Sequence, residues 1–253
     1  MPEQLWFTEI LNRFFAGPAT ALLRMLHIEP TYPQAPITNA FSMELLVFLF
    51  LVLMFALLRT SLSVDNPRPL QHTFELLDGF VNGQSENIIG HHSERFTPFL
   101  ATLALFILIS NLIGLIPGLE SPTASPEVPL GCALVAFLYY HAQGVRKNGL
   151  ARYAAHFLGP QDRTIPVFVR ITLAPVMLVV EPFSHLARVL SLTIRLYANM
   201  FAGDMIILII FSLIPIGLPV VLIALHLGVA LLQTYIFVLL TTVYLAGAVA
   251  EAH

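Results

Sequence analysis

Apolar residues along this chain fall into long blocks separated by short polar or proline-rich connections, and the blocks read as helices of two kinds. Leu5 to Leu26 carries apolar residues at Leu5, Ile10, Phe14, Phe15, Ala19, Leu22, Leu23 and Leu26, interrupted by Glu9, Arg13 and Arg24. That pattern predicts a helix lying on a membrane surface rather than crossing it. Pro30, Pro33 and Pro36 then hold the chain extended. A first span is read at 39–58: its Leu45–Leu58 run has no polar residue, and Arg59 stops it. Such a block of ~20 residues covers a ~30 Å hydrocarbon core. Over 68–95, Leu70, Phe74, Leu77 and Val81 recur at helical spacing against Gln71, His72, Glu75 and Asp78, which predicts an amphipathic interfacial helix. Residues 96–116, with Asn111 and Gly114 inside, and 128–144 read as two further spans joined in a hairpin by the Leu119–Pro129 loop. His141 to Arg163 reads as a polar, basic connection.

Two long apolar segments follow, 165–214 and 217–250. Wholly helical, the first would be ~70 Å long, so it must be tilted, kinked or both. Pro175 and Pro182 are the natural kink positions. Pro215, Gly217 and Pro219 mark the turn between the two segments. The expected fold is therefore all-α integral membrane, one domain over 1–253. It has an outer interfacial segment at 1–38, three upright spans, an interfacial amphipathic helix, and two long, strongly tilted helices forming a hairpin.

Composition supports a lipid environment: 57% of residues are apolar and 11% charged, where soluble domains carry about 25% charged residues. A formal net charge of −3 indicates no nucleic-acid partner. Cys132 is the only cysteine, which excludes an intrachain disulfide or a CxxC site. The opening M-P-E-Q has no basic n-region or cleavage site, so no removed signal peptide is expected. Internal repeats and low-complexity tracts are absent. Arg59, Arg68, Arg95, Arg146, Lys147, Arg152, Arg163 and Arg170 fall in or beside the loops of one side, whereas the other side has Arg13 and Arg24 alone. Eight against two predicts the N-terminus outside, with the 119–129 and 215–219 loops, and the C-terminus inside.

Within this apolar background, Leu192 to Met205 (L-T-I-R-L-Y-A-N-M-F-A-G-D-M) carries Arg195, Asn199 and Asp204. An Arg at the centre of a spanning helix costs ~2.5–3.5 kcal/mol on insertion scales and ~10–17 in simulation, so it marks an ion pair or a charge pathway. In a hairpin turning near Pro215, Arg195 with Gln233 and Asp204 with His226 share a midpoint at 214–215. The hairpin therefore predicts two polar levels, the second nearer the outer face. At about 100° per residue, Glu181, His185, Arg188, Arg195 and Asn199 lie within a sector of about 80°, while Asp204 projects from the opposite face. A stripe leading from the inner end to Arg195 and a separate carboxylate–imidazole pair make two half-paths with a permanent cation between them. Asp, Glu and His can each take up and release a proton when partly desolvated; Arg cannot. No carboxylate of this chain stands at the level of Arg195, so its counter-charge must come from another subunit.

Plainer readings stand beside these. Asp204 and His226 suit a structural hydrogen bond, Gln233 and Asn111 suit helix packing, and Glu181, His185 and Arg188 suit snorkelling at the interface. Tyr197, Tyr235 and Tyr244 are ordinary packing or interface residues. His91–His92 with Glu94 reads as a solvated loop face rather than a metal cluster, and no cofactor is expected.

R-L-Y-A-N-M-F-A-G-D-M (195–205), His226 and L-L-Q-T-Y-I-F-V-L-L-T-T-V-Y-L (231–245) resemble the a subunit of the membrane sector of F-type ATP synthases, bacterial type. N-L-I-G-L-I-P-G (111–118) and P-T-A-S-P (122–126) fit the same family. The resemblance implies a non-catalytic stator in the bacterial inner membrane that carries protons to and from a rotating ring of c subunits. Peripheral-stalk b subunits and the rest of the complex would be its further partners. It implies Arg195 as the essential arginine facing the ring carboxylate, with Asn199 and Gln233 nearby. Asp204 and His226 would belong to an outer half-channel, Glu181 and His185 to the inner path. The family also lays its last two helices nearly flat against the ring. Departures are Asp204 where bacterial relatives usually have Glu, Ala198 for the common Gly, and Glu127 and Pro129 outside the usual Asp-x-Asn pattern. The alternatives are a proton-coupled secondary transporter, against which the lack of repeats counts, and an intramembrane hydrolase. No HExxH, GxSxG or matched Ser/His pair supports the latter.

Overall fold

The protein is described here from a computed structural model over residues 4–25, 27, 29, 32, 34–63, 69–90, 93–116, 118–150, 152–153, 167–214 and 217–250. Pro30, Pro33, Arg68, the His91–His92 pair, Arg163, Pro215 and the side chain of Arg170 lie outside the described residues. Within them are seven α-helices and no strand: α1 (Trp6–Met25), α2 (Asn39–Ser61), α3 (Pro69–Ile89), α4 (Thr97–Ile113), α5 (Glu127–Asn148), α6 (Val167–Leu213) and α7 (Leu218–Val249). Four stretches are long and apolar enough to cross a bilayer: Asn39–Thr60, Glu127–Asn148, Ala174–Leu213 and Leu218–Val249.

Three boundaries differ from the sequence expectation. Helix α4 has 17 residues, about 25 Å at 1.5 Å per residue, because its end tightens into i→i+3 bonds from Leu115 to Leu112 and from Ile116 to Ile113. Helix α5 begins at Glu127, so the loop before it is shorter. It also runs on to Asn148 through residues expected in a polar connection. Acidic Glu127 in its first turn and Arg146 and Lys147 in its last complement the helix dipole. Helix α6 is one helix of 47 residues that contains both Pro175 and Pro182, within the segment expected at 165–214.

The chain divides into two compact units. The first comprises Met1–Glu75, Leu105–Val128 and Tyr197–Thr234; the second comprises Leu76–Ala104, Pro129–Leu196 and Tyr235–His253.

In the first unit, polar side chains tie connections to helices. Asn12 of α1 donates to the Ile37 carbonyl and accepts from the Ile37 N–H, both at 3.0 Å. Thr38 caps α2 by accepting from the Phe41 N–H. Gln71, expected on the polar face of α3, is buried instead. Its amide brackets Ser63, accepting from the N–H at 3.0 Å and donating to the carbonyl at 3.1 Å, and also reaches Glu75. A polar residue on a buried face is thus satisfied by backbone left over at the end of α2. Asn111 on α4 donates to the Ala230 carbonyl and Thr234 Oγ1 on α7 at 3.3 and 3.2 Å, and accepts from Thr123 at 2.7 Å. Ser121 links Thr123 to the Ser110 carbonyl.

The second unit has an apolar core of Val81, Phe96, Leu100, Tyr140, Leu245 and Val249. Phe99 and Tyr139 stack at 3.7 Å beside it, and Thr97 donates to Asn82 at 2.9 Å.

Replacing Asn111 with Ala leaves Thr123, Thr234 and the Ala230 carbonyl short of a partner. The expected cost is about 1–3 kcal/mol, read as a lower unfolding temperature of the detergent-solubilised subunit; an unchanged temperature refutes the hub role.

Candidate functional site

In the first unit, α6 and α7 bring two pairs of polar side chains together across apolar surfaces. His226 Nε2 lies 3.3 Å from Asp204 Oδ1, an ion-pair distance without hydrogen-bond alignment. The imidazole is 4% exposed and the carboxylate 30%. Gly203, next to Asp204, makes this approach possible: a Cβ there would overlap the Nδ1 and Cε1 edge of the ring. Closer to the middle of the hairpin, Asn199 donates to Gln233 Oε1 at 2.7 Å. The hydrogen bond that Gln233 makes is therefore with Asn199, one helical turn after Arg195. Its amide Nε2 is buried and has no hydrogen-bond partner among the described residues.

Outside the helices, Glu120 Oε1 accepts from Asn39 Nδ2 at 3.4 Å. Partial burial raises the Glu120 pKa; the Asn39 amide opposes this and the nearby Asp204 charge adds to it. Glu120 thus keeps its proton to higher pH than an ordinary glutamate, and it stands within reach of the Asp204 charge.

The second unit holds the other candidates. Glu181 Oε2 lies 3.9 Å from His185 Nε2, one turn apart on α6. The other nitrogen, His185 Nδ1, is 2.9 Å from Tyr140 Oη. Arg188 lies over the Tyr244 ring at 4.9 Å, a cation–π contact. Arg195 is partly exposed and donates to Ser191 Oγ at 3.2 Å. Within its own unit it has no carboxylate partner among the described residues. Asn148, Arg152, Tyr153, Glu181, His185, Arg188 and Tyr244 are among the residues that line a cavity of about 230 Å³. Liquid water occupies about 30 Å³ per molecule, so this space suits several.

The structure thus joins Asp204 to His226, Asn199 to Gln233 and Glu181 to His185. Gly203, Tyr140 and Tyr153 join the site without having been singled out by sequence. The one available signal was a glycine directly preceding an intramembrane acid. Burial pushes the Tyr153 phenol pKa up, and the Arg188 charge partly offsets it.

The sequence profile of the family described as ATP synthase A chain matches residues 40–246. The chain is 53% identical to ATP synthase subunit a of Koribacter versatilis, over the whole of both chains. It is 47% identical to the subunit a of Solibacter usitatus over 96% of this chain and all of that one. Against the subunit a of Campylobacter curvus it is 41% identical over 80% of this chain and 88% of the other.

Removing the Asn39 amide, which favours the charged form of Glu120, raises the pKa of that carboxyl further in Asn39→Ala. An infrared titration should show the protonated carboxyl band persisting to higher pH; no upward movement separates the two residues.

Proposed function

The chain belongs to the ATP synthase A chain family, and from that premise we propose that it carries protons through the membrane sector as two half-paths divided by Arg195. It is a multi-pass, non-catalytic subunit of the proton-translocating Fo sector and works within the whole ATP synthase. Family membership sets aside a secondary transporter.

The observation that carries the finer reading is the Asp204–His226 pair, a carboxylate and an imidazole 3.3 Å apart on two apolar helices. A carboxylate and an imidazole are side chains that can pass a proton between them, and the pair stands within otherwise apolar stretches of the two helices. In the reading, a proton enters from outside through Asp204 and His226 and neutralises a carboxylate on a ring of c subunits. Rotation carries that site through lipid, and it discharges toward Glu181 and His185 on the inner side. Arg195 holds the deprotonated ring carboxylate and blocks direct passage, since a guanidinium cannot give up its proton. The Asn199–Gln233 hydrogen bond positions the helices beside it.

Length supports the rest of the arrangement. Helix α6 would be ~70 Å and α7 ~48 Å long at 1.5 Å per residue, against a core of ~30 Å. Both therefore lie strongly tilted as a hairpin along the ring, while α2, α4 and α5 stand upright and α3 rests at the inner interface. The N-terminus is outside and the C-terminus inside, in a bacterial inner membrane, with peripheral-stalk b subunits holding the stator.

Arg195→Ala in reconstituted whole complexes is expected to abolish ATP-driven proton pumping, read by quenching of an acidification dye. Wild-type rate and coupling would sink the mechanism. In assembled Asp204→Ala complexes, proton transport should fall about a hundredfold, the scale of losing a proton-transfer group; an unchanged rate takes Asp204 out of the path.

A further inference from the structure

The inner cavity has a back wall that this path leaves unused. Tyr153 and His185 both line the cavity, and each is bound to a group behind it. Tyr153 Oη lies 2.6 Å from His141 Nδ1, and His185 Nδ1 lies 2.9 Å from Tyr140 Oη. The His141 ring centre is 4.7 Å from that of His185 and 4.5 Å from that of Tyr140. Half-buried on α5, His141 therefore touches both cavity-lining groups while standing outside the cavity itself.

Packing alone would explain an imidazole among aromatic rings, and Phe137 does meet His141 edge-on at 4.3 Å. Two features go beyond packing. The 2.6 Å separation is short for a nitrogen–oxygen hydrogen bond, whose usual range is about 2.7–3.2 Å. And α5 carries glycine at Gly144, one turn after His141, where any Cβ would overlap the Tyr153 ring. The helix gives up a side chain to let the phenol reach the imidazole.

We propose that His141 is a further proton-holding site of the inner path, exchanging protons with the cavity through Tyr153. Each exchange moves one proton. Tyr153 passes its hydroxyl proton to His141 Nδ1 as Oη takes another from the cavity, so the phenol ends neutral. A phenol whose pKa is raised suits that role, because it never rests as a charged group. The groups facing the cluster are Tyr140 on the same helix, Glu181, His185 and Arg188 on α6, Arg152 and Tyr153, and Tyr244 on α7. The proposal rests on reading this cavity as the inner path.

The test uses whole ATP synthase in inverted vesicles, with ATP-driven pumping measured as the inner-side pH is varied from 5 to 9. In H141Q the amide keeps a bond to Tyr153 but cannot titrate. Pumping should fall about a hundredfold, the lower end of the range of proton-transfer contributions, and its dependence on inner-side pH should change shape. Wild-type rate and profile in assembled H141Q overturn the proposal. If H141Q fails to assemble, Y153F decides, since it leaves His141 in place and cuts its link to the cavity: a slowed, shifted profile supports the role and an unchanged one refutes it. E181Q separates the two levels of inference. Slow E181Q with normal H141Q overturns the His141 site alone, whereas normal pumping in both overturns the inner path.

Discussion

A polar group on an apolar helix finds no water in the surrounding lipid, so it must find its partner in protein or in a cavity that admits water. That constraint organises the first unit. Asn111 engages α7 at Ala230 and Thr234 and also holds Thr123; Asn199 engages Gln233; Asp204 meets His226. Such bonds average about 0.6 kcal/mol in membranes, with a maximum near 1.7, so their value lies less in strength than in register. Sliding α6 against α7 by one turn would leave all the α6–α7 partners unsatisfied together.

The second unit solves a different problem, the placement of ionisable groups around a cavity. Here aromatic rings replace amides. Tyr140 holds His185, Tyr153 holds His141, and Tyr244 lies under Arg188. A phenol offers an apolar face to the core and a hydrogen-bonding tip to the site, so Tyr140 fills the core near Val81 and Leu245 and also fixes the His185 ring beside it.

Helix positions were legible because long apolar runs permit little else; α2 begins at Asn39 and α7 ends within a residue of the expected place. The Asp204–His226 pairing was legible too, because a hairpin with a marked turn makes distance from the turn a coordinate. Side-chain hydrogen bonding was less readable. Gln71 looks like surface by type but is buried, since its partner is backbone that no hydropathy pattern reveals. Glu127 and the 145–148 stretch look like loop and are helical; Gly144 packs against Ala248 from the far end of the chain, a neighbour that no hydropathy pattern reveals. The hydroxyls at 121 and 123 read as turn residues and prove to be buried links.

Gly203 has one more consequence. The edge of the His226 ring that carries Nδ1 and Cε1 rests where a methyl group would stand, which leaves Nε2 as the nitrogen turned toward Asp204. The ring is thereby ordered when the two helices pack, and the entropy of fixing a side chain, up to about 2 kcal/mol, is spent once at folding. A single missing carbon sets the timing of that cost.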